Sequence, residues 1–344
     1  MFNEALNNGS KLLKTSDKLG IEQAELYFSF LDKKVVKVSR KAIDNQIATE
    51  ELGLGIRVID KESIGFSYTN DMDFSGMEKC LKEAFSLAKN SPITKGVRFA
   101  PKTNIKQIKE TYNKDLANLP ITNLIDDAKT FIKGFTSIDK RINAVLGAIT
   151  LRTRGTAIMN SNGLEVKQKQ TDYQGEFLLV AHDQGKAGAY VSDDQFSRKQ
   201  DIDFLSLGKK LGKKAIDNLN QTTISKFDGP IIFGEKAMVS PILMVMSLAV
   251  SADSRQRGSS FWKDKLAAQV TDERINLKDQ PHDLSGGTGT IVFDDEGTAT
   301  QELDIITEGI LQQFLHNQRT ANKEDLESTG NATRKFSASA SFAN

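Results

Sequence analysis

The chain has 344 residues, 38% hydrophobic and 26% charged, which is ordinary for a soluble protein with room for two domains. Its 46 Lys and Arg residues balance 45 Asp and Glu residues, so no basic excess favours nucleic acid or an anionic membrane. One Cys and three His exclude a disulfide framework and a Cys-rich zinc module. Residues 1–20 are too polar for a signal peptide, and the uncharged apolar run 241–252 is too short to span a membrane. We therefore predict a cytoplasmic protein.

The first part of the chain shows one helical pattern followed by strand patterns. Apolar residues at helical spacing predict a helix over 2–20, because Gly20 is a natural stop signal. Runs rich in β-branched and aromatic residues predict strands at 24–31, 34–40, 53–59 and 63–69. The last two should form a hairpin around the turn at 60–62.

The middle of the chain predicts helices over about 73–88, 121–134 and 201–219. Cys80 lies in the apolar stripe of the first of these helices, which indicates a buried structural thiol rather than a nucleophile. Residues 90–118 are polar and form a predicted connector. The remaining patterns predict strands at 144–152, 156–159 and 176–181, with Gly155 separating the first two and a turn at 160–163.

The character of the sequence changes near Phe227, where we place a boundary between domains 1–226 and 227–344. A strand is predicted at 230–234, and Ser240 followed by Pro241 is typical of a helix start. The helix 240–252 is apolar on all sides, which predicts burial in a core. The C-terminal domain is therefore expected to be sheet- or barrel-like around this buried helix.

Hairpin signals without regular βαβ units predict an α+β fold with mainly antiparallel sheets flanked by helices. The alternating pattern 336–344 predicts a last strand that stops without a cap. We expect either a fragment or a naturally shortened protein, and in both cases the C-terminal domain would have an exposed edge.

Short motifs in a fixed order closely resemble the TldD/PmbA family. They are Phe293-Asp-Asp-Glu-Gly-Thr-Ala-Thr-Gln301, Ile306-Thr-Glu-Gly-Ile-Leu311, Phe314-Leu-His-Asn317, Thr320-Ala321 and Ser328-Thr-Gly-Asn-Ala-Thr-Arg334. Supporting motifs lie upstream, so the resemblance spans most of the chain: Gly53-x-Gly-x-Arg-Val58, Gly65-Phe66, Asn70-Asp71, Asn160-Ser-Asn-Gly163 and Gln256-Arg-Gly258.

The resemblance implies a pair of similar subunits, of which only the TldD-like one carries H-E-x-x-x-H on a helix. In this chain the corresponding positions are Leu243, Met244 and Leu248, none of which binds zinc or activates water. We therefore expect a PmbA/TldE-like subunit with no catalytic residue, no metal ligand and no cofactor, zinc being confined to the TldD-like partner. The family also bears the label modulator of DNA gyrase, which the balanced charge of this chain does not support.

Asp294, Asp295, Glu296 and Gly297 are the candidate residues for peptide or partner contact, because the same motif occurs in the catalytic paralogue. A divalent cation site is the less favoured interpretation, since neighbouring strand residues point to opposite faces. The favoured interpretation is a loop whose carboxylates accept hydrogen bonds, with Gly297 at a turn.

Two functional hypotheses remain open. In the first, the chain supports proteolysis of peptide or unfolded protein by a TldD-like partner and is inactive alone. In the second, it is a stand-alone peptide-binding or regulatory module, as a homodimer without proteolysis. Neither hypothesis involves nucleic acid or a membrane.

Overall fold

A computed structural model describes residues 2–284 and 289–334, and its larger sheet is antiparallel throughout. The strand order is β3-β2-β1-β4-β5-β6, and β7 pairs with β5. The strands are β1 (Gln23–Arg40), β2 (Ala42–Asp60), β3 (Ser63–Thr69), β4 (Ile142–Asn160), β5 (Glu165–Asp183), β6 (Lys186–Ala187) and β7 (Val191–Ser197). This arrangement confirms the predicted α+β class.

Helices cover one face of this sheet at both ends of its long strands. They are α1 (Phe2–Lys18), α2 (Phe74–Lys89), α3 (Lys114–Ala117), α4 (Ile121–Thr136) and α5 (Phe204–Asp217), with a 3-10 turn at Lys109–Thr111. Phe28 packs in the core under α1 and α2, whereas Val36 packs in the core under α4 and α5. The two residues share a face because they are an even number of positions apart in one regular strand. Cys80 is 2% exposed in the first of these cores, as predicted.

The C-terminal part covers the opposite face at the end that carries α1 and α2. Tyr27 and Ile158 on that face pack against Val292 and Phe293. The other elements are short, and they comprise α6 (Glu235–Met238), a π-helical turn (Val239–Leu243), α7 (Met244–Ala249), α8 (Ala252–Gln256), β8 (Leu277–Asp279), β9 (Leu303–Thr307), β10 (Ile310–Leu311) and α9 (Gln318–Asn322). The last three strands form a small antiparallel sheet.

Several predicted boundaries are wrong. Residues 24–40 form one continuous strand rather than two, and β4 passes through Gly155 without a break. Residues 230–234 are irregular, so the strand predicted there does not form. The strand predicted at 336–344 lies outside the described residues, and the domain division at Phe227 stays a prediction.

The helix predicted to be buried at 240–252 is the main correction. Leu243 is 42% exposed, Met244 61% and Leu248 62%, and only parts of this segment, such as Met246 and Ala249, reach a core. One side of the segment packs on β9, while the other side faces away from the chain. An apolar surface on all sides therefore did not indicate burial within this chain.

Within the described ranges, no helix has both the length and the apolar character needed to cross a membrane.

Candidate functional site

The predicted site residues form a tight loop where the C-terminal part meets the sheet. The Asp294 backbone N–H donates to the Thr298 carbonyl at 2.9 Å, and the Gly297 N–H donates to the Asp294 carbonyl at 2.9 Å. Gly297 has φ +81°, and a Cβ atom there would lie 2.4 Å from a methyl carbon of Leu164. Glycine is therefore required at this turn on two counts, conformation and space.

The carboxylate of Asp294 holds this loop together and connects it to Ala332, near the end of the described residues. Its carboxylate accepts backbone N–H bonds from Glu296, Thr298 and Ala332, each at 2.9 Å. Burial raises the pKa of Asp294 to about 7, and the nearby Glu296 raises it further, whereas the three amide donors oppose the rise. With both oxygens engaged by the backbone, this carboxylate acts as a structural acceptor.

Asp295 points the other way, toward the sheet. Its carboxylate accepts the Tyr27 hydroxyl at 2.9 Å and the Arg334 backbone N–H at 2.6 Å. Burial raises the pKa of Asp295 to about 6, and the hydrogen bond from Tyr27 counteracts part of that shift. Asp295 also lines a cavity of about 210 Å³ between the sheet and the C-terminal part.

Glu296 and Glu25 share the Arg57 guanidinium. Glu296 accepts the Gln318 backbone N–H at 2.8 Å and lies 3.9 Å from Arg57. Glu25 accepts two hydrogen bonds from Arg57, at 2.9 and 3.1 Å, and one from Arg334 at 2.5 Å. Burial raises the pKa of Glu296, and it raises the pKa of Glu25 to about 7 against the lowering effect of Arg57.

The sequence analysis missed Glu25 and Tyr27, and it gave no role to Arg57 and Arg334. Arg57 and Arg334 belong to the sequence motifs that resemble the family. In the fold, both bind the carboxylate of Glu25. The available signal for Glu25 was a single acid in an otherwise apolar strand segment, Ala24-Glu-Leu-Tyr-Phe28. The distance along the chain between Glu25 and Arg334 concealed their contact.

The four carboxylates, those of Glu25, Asp294, Asp295 and Glu296, do not point to a common position where a cation could bind. Asp294 and Asp295 accept bonds on opposite sides, and both glutamates face Arg57. Among the described residues, no group of three or more His, Cys, Asp or Glu side chains has the arrangement of a metal site. The arrangement suits an electrostatic junction that fixes the C-terminal part on the sheet.

The positions that the resemblance assigns to the zinc motif lie apart from this junction, on the π-helical turn and α7. Leu243, Met244 and Leu248 carry no imidazole or carboxylate donor, so they do not fit a catalytic zinc ion. The histidines offer no replacement set. His282 contacts Thr300 at 3.2 Å, His182 lies at the far end of β5, and burial lowers the pKa of His316.

Three family models match successive parts of the chain. They are the PmbA/TldA metallopeptidase domain 1 over residues 24–88, the central domain over 114–219 and the C-terminal domain over 227–343.

Curated relatives are identical to this chain at about a quarter of the matched positions. An uncharacterised protein of Methanocaldococcus jannaschii is 26% identical over 326 residues, covering 95% of this chain and 74% of that protein. A metalloprotease PmbA homologue of Buchnera aphidicola is 29% identical over 305 residues, with coverages of 86% and 67%. One from Haemophilus influenzae is 26% identical over 305 residues, with coverages of 86% and 66%.

Solved structures share the fold. A Thermotoga maritima protein, described as a candidate modulator of a DNA gyrase, superposes with a TM-score of 0.86 at 23% identity, covering 97% of this chain and 75% of that one. TldE from Thermococcus kodakarensis superposes with a TM-score of 0.83 at 18% identity, covering 95% and 74%.

Proposed function

Because the chain belongs to the TldD/PmbA family, we propose that it is the non-catalytic, PmbA/TldE-like subunit of a cytoplasmic zinc peptidase. A TldD-like partner supplies the zinc and cleaves the peptide, and this chain helps to hold the peptide or unfolded segment. The observation that supports the proposal is the sequence at the positions that the resemblance assigns to the zinc motif: Leu243, Met244 and Leu248 have no suitable donor.

The exposed apolar side chains of the C-terminal part support an assembly rather than an isolated chain. Contiguous apolar surface of this kind on a soluble protein usually marks an interaction site. Between residues 239 and 248, five large apolar residues each have an exposed fraction of 42% or more. They are Val239, Leu243, Met244, Val245 and Leu248. A second subunit that covered them would remove this surface from water.

The peptide-contacting role is assigned to Asp295 among the four candidate residues. It is the member of the 294–297 loop that lines the cavity of about 210 Å³, whereas Asp294 is bonded to backbone amides. In this proposal the loop is supported by Asp294, Glu296 and Gly297, and the Asp295 carboxylate contacts the peptide.

Co-expression with the TldD-like protein of the same genome tests the proposal. We expect the two chains to purify as one complex, and the peptidase activity of the TldD-like chain to rise when this chain is added. The double variant Leu243→Asp/Leu248→Asp should weaken the complex by tenfold or more, because it places charge in the apolar contact. Leu87→Asp, at a 51% exposed leucine on α2, is the matched control and should leave the complex intact.

The alternative hypothesis, a homodimeric module without proteolysis, makes the opposite forecast. A stable homodimer that retains no TldD-like chain and leaves peptidase activity unchanged would support the alternative and reject the two-subunit proposal.

A further inference from the structure

The cavity beside Asp295 lies between the sheet and the C-terminal part, next to two arginines of β4, Arg152 and Arg154. Its sheet wall is formed by Arg154 and Thr156 of β4 and Gln170 of β5, and Thr333 borders it from the C-terminal part. Arg154 and Thr156 share a face of β4 because they are two positions apart. Arg154 pairs across the strands with Leu31 on one side and Gln170 on the other.

Two guanidinium groups lie beside a single buried carboxylate, that of Asp172. Arg152 binds one oxygen at 2.9 Å, whereas Arg154 lies 3.5 Å from the other oxygen, which accepts no hydrogen bond from the described residues. Arg198 donates to the carbonyl of Thr171, the neighbour of Asp172 in the chain, at 3.4 Å. One carboxylate is therefore shared by Arg152 and Arg154, and Arg152 makes the closer contact.

Arg154 is the arginine of this group that a ligand can reach. Its side chain is 38% exposed, compared with 20% for Arg152, and it lines the cavity. A guanidinium presents parallel N–H donors that match a carboxylate, and such charge-assisted pairs are stronger than neutral hydrogen bonds. An anion placed here would pair with a guanidinium that shares the carboxylate of Asp172 with Arg152.

The volume of the cavity and the charge on its opposite wall limit the kinds of anion that it can bind. A volume of about 210 Å³ admits a single small group or chain end. Asp295 on the other wall disfavours ligands with several negative charges, such as a polyphosphate or a nucleic acid backbone. Gln168 and Gln170, which also line the cavity, both donate to the Thr290 carbonyl, and Gln168 accepts the Val292 backbone N–H, so these amides fix the C-terminal part against this wall.

We propose that this cavity binds the C-terminal carboxylate of a peptide, with the Arg154 guanidinium as the principal partner and Thr156, Gln170 and Thr333 around it. The inference rests on the proposed peptide-holding function and deepens it, because it assigns the end of the peptide that this subunit recognises. The chain would thus prefer peptides with a free C-terminus to internal segments of a protein.

Binding of tri-alanine to the purified full chain, with a free carboxylate or as the C-terminal amide, tests the inference by calorimetry. We expect the free acid to bind at least tenfold more tightly than the amide. Arg154→Gln should remove that preference, and Arg154→Lys should retain part of it because the charge remains. Arg274→Gln is the matched control, since Arg274 is 84% exposed and paired with Asp272 away from the cavity.

Equal binding of acid and amide by the unmodified chain would overturn the inference, as would an unchanged preference in Arg154→Gln. Acetate that bound as tightly as the tripeptide acid would show a general carboxylate site and overturn the peptide assignment. These measurements need no TldD-like chain, so failure of subunit pairing and failure of carboxylate recognition are distinguished.

Discussion

The side chain of Glu25 is fully buried between two guanidinium groups, Arg57 from β2 and Arg334 from the C-terminal part. Glu25→Ala would leave both arginines without this counter-charge in a buried setting. We expect a loss of about 3–5 kcal/mol in the free energy of unfolding, measured by urea denaturation. Asp304→Ala removes a pair with Lys278 in which both side chains are more than half exposed, so the loss of stability should be much smaller. Equal losses in the two variants would contradict a structural role for the buried junction.

Asp295 should make stability depend on pH. Its pKa rises from 3.8 to about 6 on folding, so the folded chain binds the proton more tightly than the unfolded chain. The contribution is therefore fully present below about pH 4 and is lost as the pH rises through 6. Tyr27, Glu25 and the Arg334 backbone surround this carboxylate. We expect the unfolding free energy of Asp295→Asn to fall less between pH 4.5 and 7.5 than that of the unmodified chain. If the two plots of unfolding free energy against pH run parallel, Asp295 is not the group responsible.

The segment from the π-helical turn through α7 illustrates how an apolar pattern can be misread. All-round apolar character predicts a core helix when the chain supplies every neighbour. Here one side of the segment packs on β9 and the other side remains exposed. The sequence pattern alone does not distinguish a core within the chain from a surface that another chain would cover.

The cost of truncation at this segment should follow its exposure. Leu243→Ala should change the free energy of unfolding of the isolated chain by less than about 1 kcal/mol, because 42% of the side chain already contacts water. Ile306→Ala, at a fully buried residue of β9, should cost about 2–5 kcal/mol through lost transfer energy and a cavity. Thermal unfolding of both variants provides the check. A loss at Leu243 as large as that at Ile306 would show that the segment is buried in solution.

Local chemistry predicted some elements well and others poorly. The hairpin of β2 and β3 turns at Lys61 and Glu62, both with positive φ, where the sequence interrupts two strand patterns. The amphipathic helices α2, α4 and α5 also formed near their predicted positions. The break predicted at Gly155 did not occur because this residue is paired on both sides, with Phe30 and Lys169. Ladder pairing in a central strand therefore outweighed the weak strand propensity of glycine.

The candidate site was predictable only in part, because its residues come from distant parts of the chain. The loop 294–297 and its turn follow from local chemistry. The meeting of Glu25 with Arg57 requires the register of β1 and β2, in which Glu25 lies directly opposite Arg57. The approach of Arg334 requires the packing of the C-terminal part on the sheet, which no local pattern specifies. Spatial convergence of motifs is thus the information that the fold adds.

The chemistry of the whole chain gives the last prediction: purified alone, it should bind no stoichiometric zinc and cleave no peptide. The positions that the resemblance assigns to the zinc motif carry Leu243, Met244 and Leu248, and His182, His282 and His316 lie in different segments of the chain. Plasma mass spectrometry for metal, together with a peptidase assay on the isolated chain, provides the measurement. One zinc ion per chain with chelator-sensitive cleavage would contradict the non-catalytic assignment.

Restoring the motif should not create an enzyme. Leu243→His, Met244→Glu and Leu248→His together place polar groups at exposed positions, so the triple variant should fold, contrary to what burial of the helix would have implied. The two imidazoles, five residues apart, would lie about 140° out of phase on a regular helix that turns about 100° per residue. The π-helical turn ends at Leu243, so α7 continues between the two positions with ordinary helical geometry. A catalytic zinc also needs a third ligand and hydrogen-bonded partners that orient the imidazoles. We therefore expect weak zinc binding without peptidase activity, and the unmodified chain assayed in parallel is the control.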